Sequence, residues 1–387
     1  MNNIEVTNCV KYIGVNDKTI DLFESQYKVP NGISYNSYLI RDEKNVVMDT
    51  VDSRMTKDWL NNLEKALEGE KVDYLVVSHM EPDHASNIEL LSNKYPEMKI
   101  VGNNKTFMYI KQFFNISNLE ERQVMVKEGD ILNIGKHTLQ FFMAPMVHWP
   151  EVMVTYEQSE KILFSADGFG KFGALDIDEE WVDEARRYYF NIVGKYGAQV
   201  QALLKKASNL DIKMICPLHG PILKENLEYY INKYDIWSSY KPEDEGVFIA
   251  YASIYGNTKA AAIQMAKLLE EKGVKQVVLA DLTREDMAEA ISNAFRFAKI
   301  VLASSSYNSG IFPPMERFLH HLEGKNYQNR KIGIIENGTW APSAGKCIKS
   351  ILDNMKDITI CEPMVTIRSM MNEETQTKME ELAKELI

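Results

Sequence analysis

Four side chains that can bind a metal ion occur within one short segment, VVSHMEPDHASN: His79, Glu81, Asp83 and His84. Residues 74–77 before them form a continuous apolar run, typical of a buried strand in a parallel sheet. Two imidazoles and two carboxylates at such short spacing would repel or desolvate one another unless a cation offset their charges. The segment therefore predicts a metal site at a strand end. The alternative is a polar loop in which two histidines occur by chance.

Pro82 bears on how these side chains are presented. The residue before a proline is disfavoured in the helical conformation, so an easy helix through Glu81 is not expected. We therefore expect a loop to carry the four side chains.

Three more candidate ligands each follow an apolar run: His148 after TLQFFMAPMV, Asp167 after KILFSA and His219 after IKMICPL. Residues at strand ends that share one edge of a layered fold converge in space. Seven candidates exceed the four ligands of one tetrahedral zinc and indicate two metal ions, with Asp167 as a bridging carboxylate. Taken singly, His148 or His219 is equally explained as a hydrogen-bonded core histidine, so the prediction depends on the set.

The remaining histidines fit no part of this pattern, and we expect His137, His320 and His321 at the surface. The four cysteines are widely separated and form no C-x-x-C pair, so we expect reduced thiols without a metal or redox role.

Composition limits the classes of function. A chain of 387 residues with 45% hydrophobic and 26% charged residues is typical of a soluble globular protein with two or three domains. The net charge of −11 argues against a nucleic acid or an anionic membrane as partner. No segment has the roughly 20 apolar residues of a membrane span, and no secretory signal is recognisable, so we expect a cytoplasmic protein.

The first part of the chain alternates strands and helices. Strands are predicted for SYNSYLI, NVVMDT, DYLVVSH and MKIVGN, and helices for 54–67, 84–94 and 106–114. A mainly β stretch follows, with VMVKEG, HTLQFFMA, VMVTYE and KILFSAD. A long helix over 179–208 and another over 226–237 flank the strand IKMIC.

The polar segment SSYKPEDEG is predicted to be a linker, which divides the chain into domains 1–245 and 246–387. From Val247 onward, five strands alternate with helices, which predicts an α/β, doubly wound parallel sheet.

Three loops of this second half leave predicted strands. In SIYGNT, Ser253, Gly256 and Thr258 could turn hydroxyl and backbone N–H groups toward a phosphate at a helix N-terminus. The alternative is an ordinary strand-to-helix turn capped by the threonine. The loops SSSYNSG and NGTWAPSAG add Tyr307 and Trp340, which could flank a flat ring system or could be core aromatics. There is no G-x-G-x-x-G fingerprint, which disfavours NAD.

The pattern H-x-E-x-D-H, followed by a lone His, Asp and His, resembles the metallo-β-lactamase fold. Hydrolases of that fold usually carry histidine where this chain has Glu81; the acidic variant resembles flavodiiron proteins and favours iron over zinc. The resemblance implies two irons. One would be held by His79, Glu81, His148 and Asp167, and the other by Asp83, His84, Asp167 and His219.

The second half resembles flavodoxin, which implies FMN as cofactor. Its phosphate would contact Ser253, Ile254, Tyr255, Gly256, Asn257 and Thr258. Its isoalloxazine ring would contact Ser305, Ser306, Tyr307, Asn308, Asn337, Gly338, Thr339 and Trp340. Many relatives have Pro-Thr at the positions of Ser305 and Ser306.

The resemblance to flavodiiron proteins covers essentially the whole chain and implies a metallo-β-lactamase-like αββα sandwich followed by a flavodoxin-like domain. It implies reduction of O2 to water, of NO to nitrous oxide, or of both, without ranking the two gases. Rubredoxin or a similar small carrier is expected as electron donor, and a head-to-tail homodimer, or a dimer of such dimers, as the assembly. Two alternatives are a dizinc hydrolase with a regulatory flavodoxin-like domain and an FMN electron carrier with a structural metal domain.

Overall fold

The structure is a computed structural model that describes residues 4–387. It contains two compact units. The first comprises the described residues up to Tyr188 together with Ala198–Tyr234, and the second comprises Tyr189–Gly197 and Asp235–Ile387. Among the helices of residues 4–387, none combines the length and apolar character that crossing a membrane requires.

The strands of the first unit are short. They are β1 (Val10–Tyr12), β2 (Val15–Asp17), β3 (Leu22–Phe23), β4 (Tyr27–Lys28), β5 (Ile33–Tyr35), β6 (Tyr38–Ile40), β7 (Val46–Met48), β8 (Tyr74–Val76), β9 (Lys99–Gly102), β10 (Gln123–Met125), β11 (Ile131–Asn133), β12 (Thr138–Met143), β13 (Met153–Glu157), β14 (Ile162–Phe164) and β15 (Met214–Cys216). The helices up to the second unit's sheet are α1 (Thr56–Leu67), α2 (Pro82–Ala85), α3 (Ile88–Lys94), α4 (Asn104–Phe113), α5 (Leu119–Arg122), α6 (Trp181–Tyr188), α7 (Gly197–Ala207) and α8 (Leu227–Ser238).

Two sheets form the core of this unit, in the orders β1-β6-β7-β8-β9-β10 and β11-β12-β13-β14-β15. Their apolar residues belong to one buried cluster, which includes Val76 and Met48 from the first sheet and Phe141 and Phe164 from the second. A sheet that is apolar on one face is stable when that face packs against another layer. The expected sandwich of two sheets is therefore confirmed.

Strand direction explains why the candidate ligands meet. In the second sheet, β12 and β14 are each antiparallel to β13, and β15 is parallel to β14. Strands β12, β14 and β15 therefore run in one direction and end at the same edge. His148, Asp167 and His219 follow these three strand ends, while residues 79–84 follow the end of β8 in the first sheet.

Two local expectations are wrong. Glu81 has an extended backbone, as expected, but α2 begins at Pro82, so Asp83 lies in a helical turn instead of a loop, and the helix expected over 84–94 is divided between α2 and α3. Proline is well suited to the first turn of a helix, where its missing N–H would have no intrahelical partner.

His137 is buried, with only 4% of its surface exposed, because Asp42 accepts hydrogen bonds from its backbone and its ring. His320 is exposed as expected, and His321 is partly buried.

The long helix expected over 179–208 is interrupted. After α6, a π-helical segment (Tyr189–Val193) and a 3-10 turn (Gly194–Tyr196) precede α7. A β-carbon at Gly197 would lie 2.3 Å from the carbonyl oxygen of Ser238, so only glycine permits this close backbone approach.

The second unit has seven strands: β16 (Asp244–Ala252), β17 (Val277–Asp281), β18 (Phe297–Tyr307), β19 (Gly310–Ile311), β20 (Arg330–Asn337), β21 (Ile358–Ile360) and β22 (Val365–Ile367). Its helices are α9 (Asn257–Glu271), α10 (Met287–Arg296), α11 (Pro313–Gly324), α12 (Ala344–Leu352) and α13 (Glu373–Glu385).

The main path of its sheet is β17-β16-β18-β20-β21, with all neighbours parallel. In chain order this is 2-1-3-4-5, the flavodoxin-like form of the doubly wound sheet. The predicted fold class is therefore confirmed. The fifth predicted strand is divided at Pro363, and both parts, β21 and β22, pair with β20.

Candidate metal centre and sheet-edge site

The first group of candidate ligands comprises His79, Glu81, His148 and Asp167. The Nε2 atoms of His79 and His148 lie 3.3 Å apart, and Glu81 Oε2 lies 3.3 Å and 2.9 Å from them. Asp167 Oδ2 completes the group at 3.2 Å from His79 Nε2 and 3.3 Å from His148 Nε2. Four potential ligand atoms therefore face one point.

The second group comprises Asp83, His84 and His219. The Nε2 atoms of the two histidines lie 3.1 Å apart, and Asp83 Oδ2 lies 3.3 Å from His84 Nε2 and 3.2 Å from His219 Nε2. Asp167 Oδ1 lies 3.3 Å from His84 Nε2 and 3.8 Å from His219 Nε2. Asp167 thus presents one carboxylate oxygen to each group.

These distances fit metal ions. Metal–ligand bonds of about 2.0–2.2 Å place neighbouring ligand atoms roughly 3.0–3.5 Å apart. Both carboxylate oxygens of Asp83 and of Asp167 are buried, and none has a hydrogen-bond partner within residues 4–387. A buried acceptor without a donor is costly, and a cation at each group would satisfy these oxygens. The residues present therefore fit a pair of metal ions.

The pKa values of the buried groups also indicate that the site accommodates positive charge. Burial raises the pKa of Asp83 to about 7; the carboxylates of Glu81 and Asp167 add to the increase, and His84 opposes it. Burial lowers the pKa of His219, which favours the neutral imidazole that a metal ion requires. Two divalent cations would hold Asp83 ionised by offsetting the neighbouring carboxylates.

The outer ring nitrogens of two histidines are fixed by hydrogen bonds. His79 Nδ1 donates to the buried carboxylate of Glu151 (2.7 Å), which also accepts the backbone N–H of Met80 (2.8 Å). His219 Nδ1 donates to the carbonyl oxygen of Ser34 (2.7 Å). Such partners set the tautomer and direct Nε2 toward the metal.

Sequence reasoning missed Glu151 and a second supporting carboxylate, Asp49. Asp49 follows β7 with a positive φ of 56° and accepts the backbone N–H groups of Ser78 (2.6 Å) and His79 (3.3 Å). The available signals were an acid three residues after His148 and an acid ending the apolar run NVVMD. Neither signal identifies a partner, because the contacts depend on strand register.

In the second unit, three predicted loops leave one edge of the sheet. Strands β16, β18 and β20 are parallel neighbours, with Ala252 beside Ser304 and Ser305 beside Asn337. The segments 253–258, 305–308 and 337–340 therefore lie side by side. Ser305, Ser306 and Tyr307 are the last residues of β18 instead of the expected loop, because the chain turns back and pairs as β19. The aromatic side chains of the three segments are exposed, by 95% for Tyr255, 46% for Tyr307 and 87% for Trp340, which excludes a core role for Tyr307 and Trp340.

The loop 253–258 has the backbone expected for an anion site. Gly256 has φ +99°, a β-carbon there would meet nothing within 4 Å, and α9 begins at the next residue. Ser253 Oγ accepts the N–H of Gly256 (3.1 Å), and the buried Thr258 shares a hydrogen bond with Ser305 Oγ (2.9 Å). The other residues of the loop are exposed: Ile254, Tyr255 and Asn257. The start of α9 thus offers backbone N–H groups to solvent.

Two side chains predicted to contact a ring instead support the loops. Ser306 Oγ accepts the N–H groups of Ser343 (2.8 Å) and Ala344 (3.1 Å) at the start of α12. Asn337 exchanges two hydrogen bonds of 3.0 Å with the backbone of Ser369. Ser369 was missed, although it follows the strand VTI at this same edge. Gly338 is partly buried, and the remaining predicted residues, Asn308 and Thr339, are exposed.

Replacing Glu151 with Gln should weaken metal binding at the His79 group. The amide keeps the shape of the side chain but removes the charge that orients His79, so we expect a loss of about 10–100-fold in affinity at that group. Iron content after dialysis against graded chelator measures this loss. Glu157→Gln is the matched control, since Glu157 is equally buried but accepts its hydrogen bonds from the backbone of residues 138, 159 and 160. Equal iron retention in the two variants would contradict the role of Glu151.

Comparison with known proteins agrees with this architecture. Residues 33–220 match the family model described as ODP family beta lactamase. The chain is 31% identical over 349 residues to the anaerobic nitric oxide reductase flavorubredoxin of Vibrio vulnificus, covering 87% of this chain and 70% of that one.

Solved structures are similar over the full length. The flavodiiron protein from Giardia intestinalis superposes with a TM-score of 0.91 at 26% identity, covering 100% of this chain and 96% of the other. Rubredoxin:oxygen oxidoreductase from Desulfovibrio gigas gives a TM-score of 0.90 at 25% identity, covering 99% and 98%. Because the likeness extends through the metallo-β-lactamase-like first unit and the flavodoxin-like second unit, this chain belongs to the flavodiiron protein family.

Proposed function

We propose that this protein is an oxidoreductase that reduces O2 to water, NO to nitrous oxide, or both, at a diiron centre supplied with electrons by FMN. The observation that carries the proposal is the position of Asp167, whose two oxygens face two separate groups of ligands. The flavorubredoxin of Vibrio vulnificus is named as a nitric oxide reductase and the Desulfovibrio gigas protein as an oxygen oxidoreductase, which supports a reductase over a dizinc hydrolase.

The ligand assignment follows the two groups. His79, Glu81, His148 and one oxygen of Asp167 would hold the first iron; Asp83, His84, His219 and the other oxygen of Asp167 would hold the second. When bound, the irons and FMN would together store four electrons, the number that reduction of one O2 to water consumes. Three carboxylates among the seven ligands favour iron over softer metals.

Burial at the site determines how a small molecule could enter. Of the seven candidate ligands, Glu81 has the most accessible side chain, 14% of its surface, against 9% for Asp83 and His148. Asp167, His79 and His219 are fully buried. A diatomic gas would therefore reach the metals from the side of Glu81, while the buried ligands keep bulk water away from the bridging carboxylate.

We propose FMN as the ligand of the exposed sheet edge, with residues 1–245 as the diiron domain and 246–387 as the FMN-binding domain. Backbone N–H groups at the start of α9, with Ser253 and Thr258, would bind the phosphate. Tyr307 and Trp340 would flank the isoalloxazine ring, since both are exposed at this edge, Tyr307 at the end of β18 and Trp340 in the loop after β20.

We propose rubredoxin or a similar small protein as the electron donor, because the structurally similar Desulfovibrio gigas protein carries rubredoxin in its name. We also propose a head-to-tail homodimer, in which the flavin of one subunit adjoins the metals of the other. That arrangement rests on the resemblance to the family.

Glu81→His should lower reductase turnover at least about tenfold, because even an outer-shell change costs 10–100-fold at metal sites. Turnover with O2 and with NO is measured anaerobically with reduced rubredoxin, together with iron and zinc contents. Glu89→His is the control, since Glu89 is also partly buried but lies on α3 outside the ligand groups. Unchanged turnover in a protein fully loaded with zinc would rule out iron as the working metal.

Thr258→Asp should lower FMN occupancy to a small fraction of the wild-type level, because a carboxylate at this position would repel the phosphate. Thr258→Asn, which has a similar shape without the charge, should retain far more flavin. Flavin absorbance per polypeptide measures both, and near-ultraviolet circular dichroism checks their folding. Stoichiometric FMN in the aspartate variant would contradict the phosphate assignment.

A mixed dimer tests the head-to-tail assembly. One subunit carries His84→Ala with intact flavin, and the other carries Thr258→Asp with intact metals. Transfer between subunits leaves one competent flavin–metal pair, so purified mixed dimers should retain about half of the wild-type turnover. No turnover, with FMN and iron contents verified, would show that transfer occurs within one subunit.

A further inference from the structure

A third group of potential ligands lies in the first unit, apart from the two that share Asp167. It consists of Cys9, His137 and Glu160, whose ligand atoms all lie within 4.8 Å of one another. Cys9 precedes β1, His137 lies in the turn before β12, and Glu160 lies in the turn between β13 and β14. Three separate segments of the chain therefore converge on one point.

His137 is held in one orientation by Asp42. The carboxylate oxygen Oδ2 of Asp42 accepts the backbone N–H of His137 (2.7 Å) and the ring Nδ1–H (2.6 Å). Burial raises the pKa of Asp42, but the hydrogen bonds from His137 and its neighbours outweigh this effect and lower the pKa to about 2. A β-carbon at Gly135 would lie 2.4 Å from Asp42 Oδ1, so the glycine, with φ +132°, permits this approach. Nδ1 therefore carries a proton, and Nε2 is the nitrogen that remains for a metal.

The free side of the ring faces a carboxylate that is itself positioned. His137 Nε2 lies 3.8 Å from Glu160 Oε2, which is too far for a hydrogen bond. Glu160 Oε2 accepts a hydrogen bond from Thr7 Oγ1 (2.7 Å). The backbone N–H of Glu160 donates to the buried carboxylate of Glu157 (2.6 Å), which fixes the turn that carries it.

Thr7 also places the cysteine. Its hydroxyl oxygen accepts the backbone N–H groups of Cys9 (3.2 Å) and Val10 (3.0 Å), so one side chain orients both Glu160 and the segment that carries the thiol. Cys9 is partly exposed, which gives an ion from solvent access to its sulfur.

We propose that Cys9, His137 and Glu160 form a third metal site that binds one zinc ion and is separate from the proposed diiron centre. Thiolate, imidazole and carboxylate are the three ligand types that zinc uses in proteins, and Asp42 provides the outer-shell carboxylate that commonly orients a zinc-bound histidine. Tetrahedral bonds of about 2.0–2.3 Å place ligand atoms about 3.3–3.8 Å apart, so a group whose ligand atoms all lie within 4.8 Å needs side-chain shifts of about 1 Å to close on an ion. Water would occupy the fourth position.

The site would add a further link between two sheets that already share a buried apolar core. Cys9 adjoins the first sheet at β1, whereas His137 and Glu160 lie in turns of the second sheet. An ion bound to all three adds its binding free energy to the folded state. The expected role is structural, and the proposal departs from the expectation from sequence that Cys9 has no metal role.

X-ray absorption at the zinc edge of the iron- and FMN-loaded protein tests the proposal. After incubation with one equivalent of zinc and removal of free ion, a single Zn–S distance of about 2.3 Å is expected. None of the candidate diiron ligands contains sulfur, so zinc exchanged into that centre gives no such signal. Cys9→Ser should abolish the Zn–S distance, whereas Cys347→Ser, which removes the other partly exposed thiol, should leave it unchanged.

Zinc affinity and thermal stability provide two further tests of the site. Asp42→Asn should weaken zinc binding about 10–100-fold in equilibrium dialysis, because it removes only the outer-shell carboxylate. Zinc should raise the Tm of the wild type more than that of Cys9→Ser. Absence of a Zn–S distance in the wild type, or its persistence in Cys9→Ser, would overturn the site; the group would then be an ion pair of His137 between Asp42 and Glu160. Loss of reductase activity without loss of the Zn–S distance would count against the proposed function alone.

Discussion

The first unit depends on the burial of carboxylates that the polypeptide neutralises only in part. Both oxygens of Asp83 and Asp167 are enclosed without a hydrogen-bond donor from the described residues, and an isolated buried carboxylate is among the most costly groups in a protein interior. Burial opposes the protonation of His79 and His148, but the neighbouring carboxylates outweigh it and raise the pKa of both, to about 9 for His148, so these imidazoles offset part of the charge. Burial favours the neutral form of His219. The site is therefore an arrangement that two cations complete, and its geometry is maintained by side chains that bind no metal.

Those supporting side chains mark the limit of prediction from sequence. The seven candidate ligands could be recognised because each follows an apolar run, and parallel strands bring their ends to one edge. The contacts of Glu151 and Asp49 follow no such rule. Glu151 reaches His79 across 72 positions, and Asp49 meets Ser78 because β7 and β8 are paired in one register. His137 was misplaced for the same reason, since its burial depends on Asp42, 95 positions away.

In the second unit too, the order of the strands was predictable from the sequence, whereas individual side-chain contacts were not. Alternating strands and helices, with a small polar loop after β16, were sufficient to predict the sheet and the edge at which its candidate binding loops lie. Which hydroxyl and amide side chains hydrogen-bond to neighbouring segments, and which stay free to contact a ring, was not predictable. Ser306 and Asn337 hold α12 and the loop after β22 in place, which leaves Tyr307 and Trp340 exposed on a rigid edge. Their role in ring binding stays a prediction.

Both sheets of the first unit contribute ligands to the candidate centre, which links metal binding to stability. Residues 79–84 come from the first sheet, whereas His148, Asp167 and His219 come from the second. Each proposed ion therefore has ligands from both sheets, so metal binding would connect the layers in addition to their shared apolar core. Without metal, protons on His79, His148 and Asp83 must replace the cations in offsetting the charge of Glu81 and Asp167 across the same boundary. Metal affinity and the stability of the sandwich are consequently linked, because whatever separates the sheets also separates the ligands.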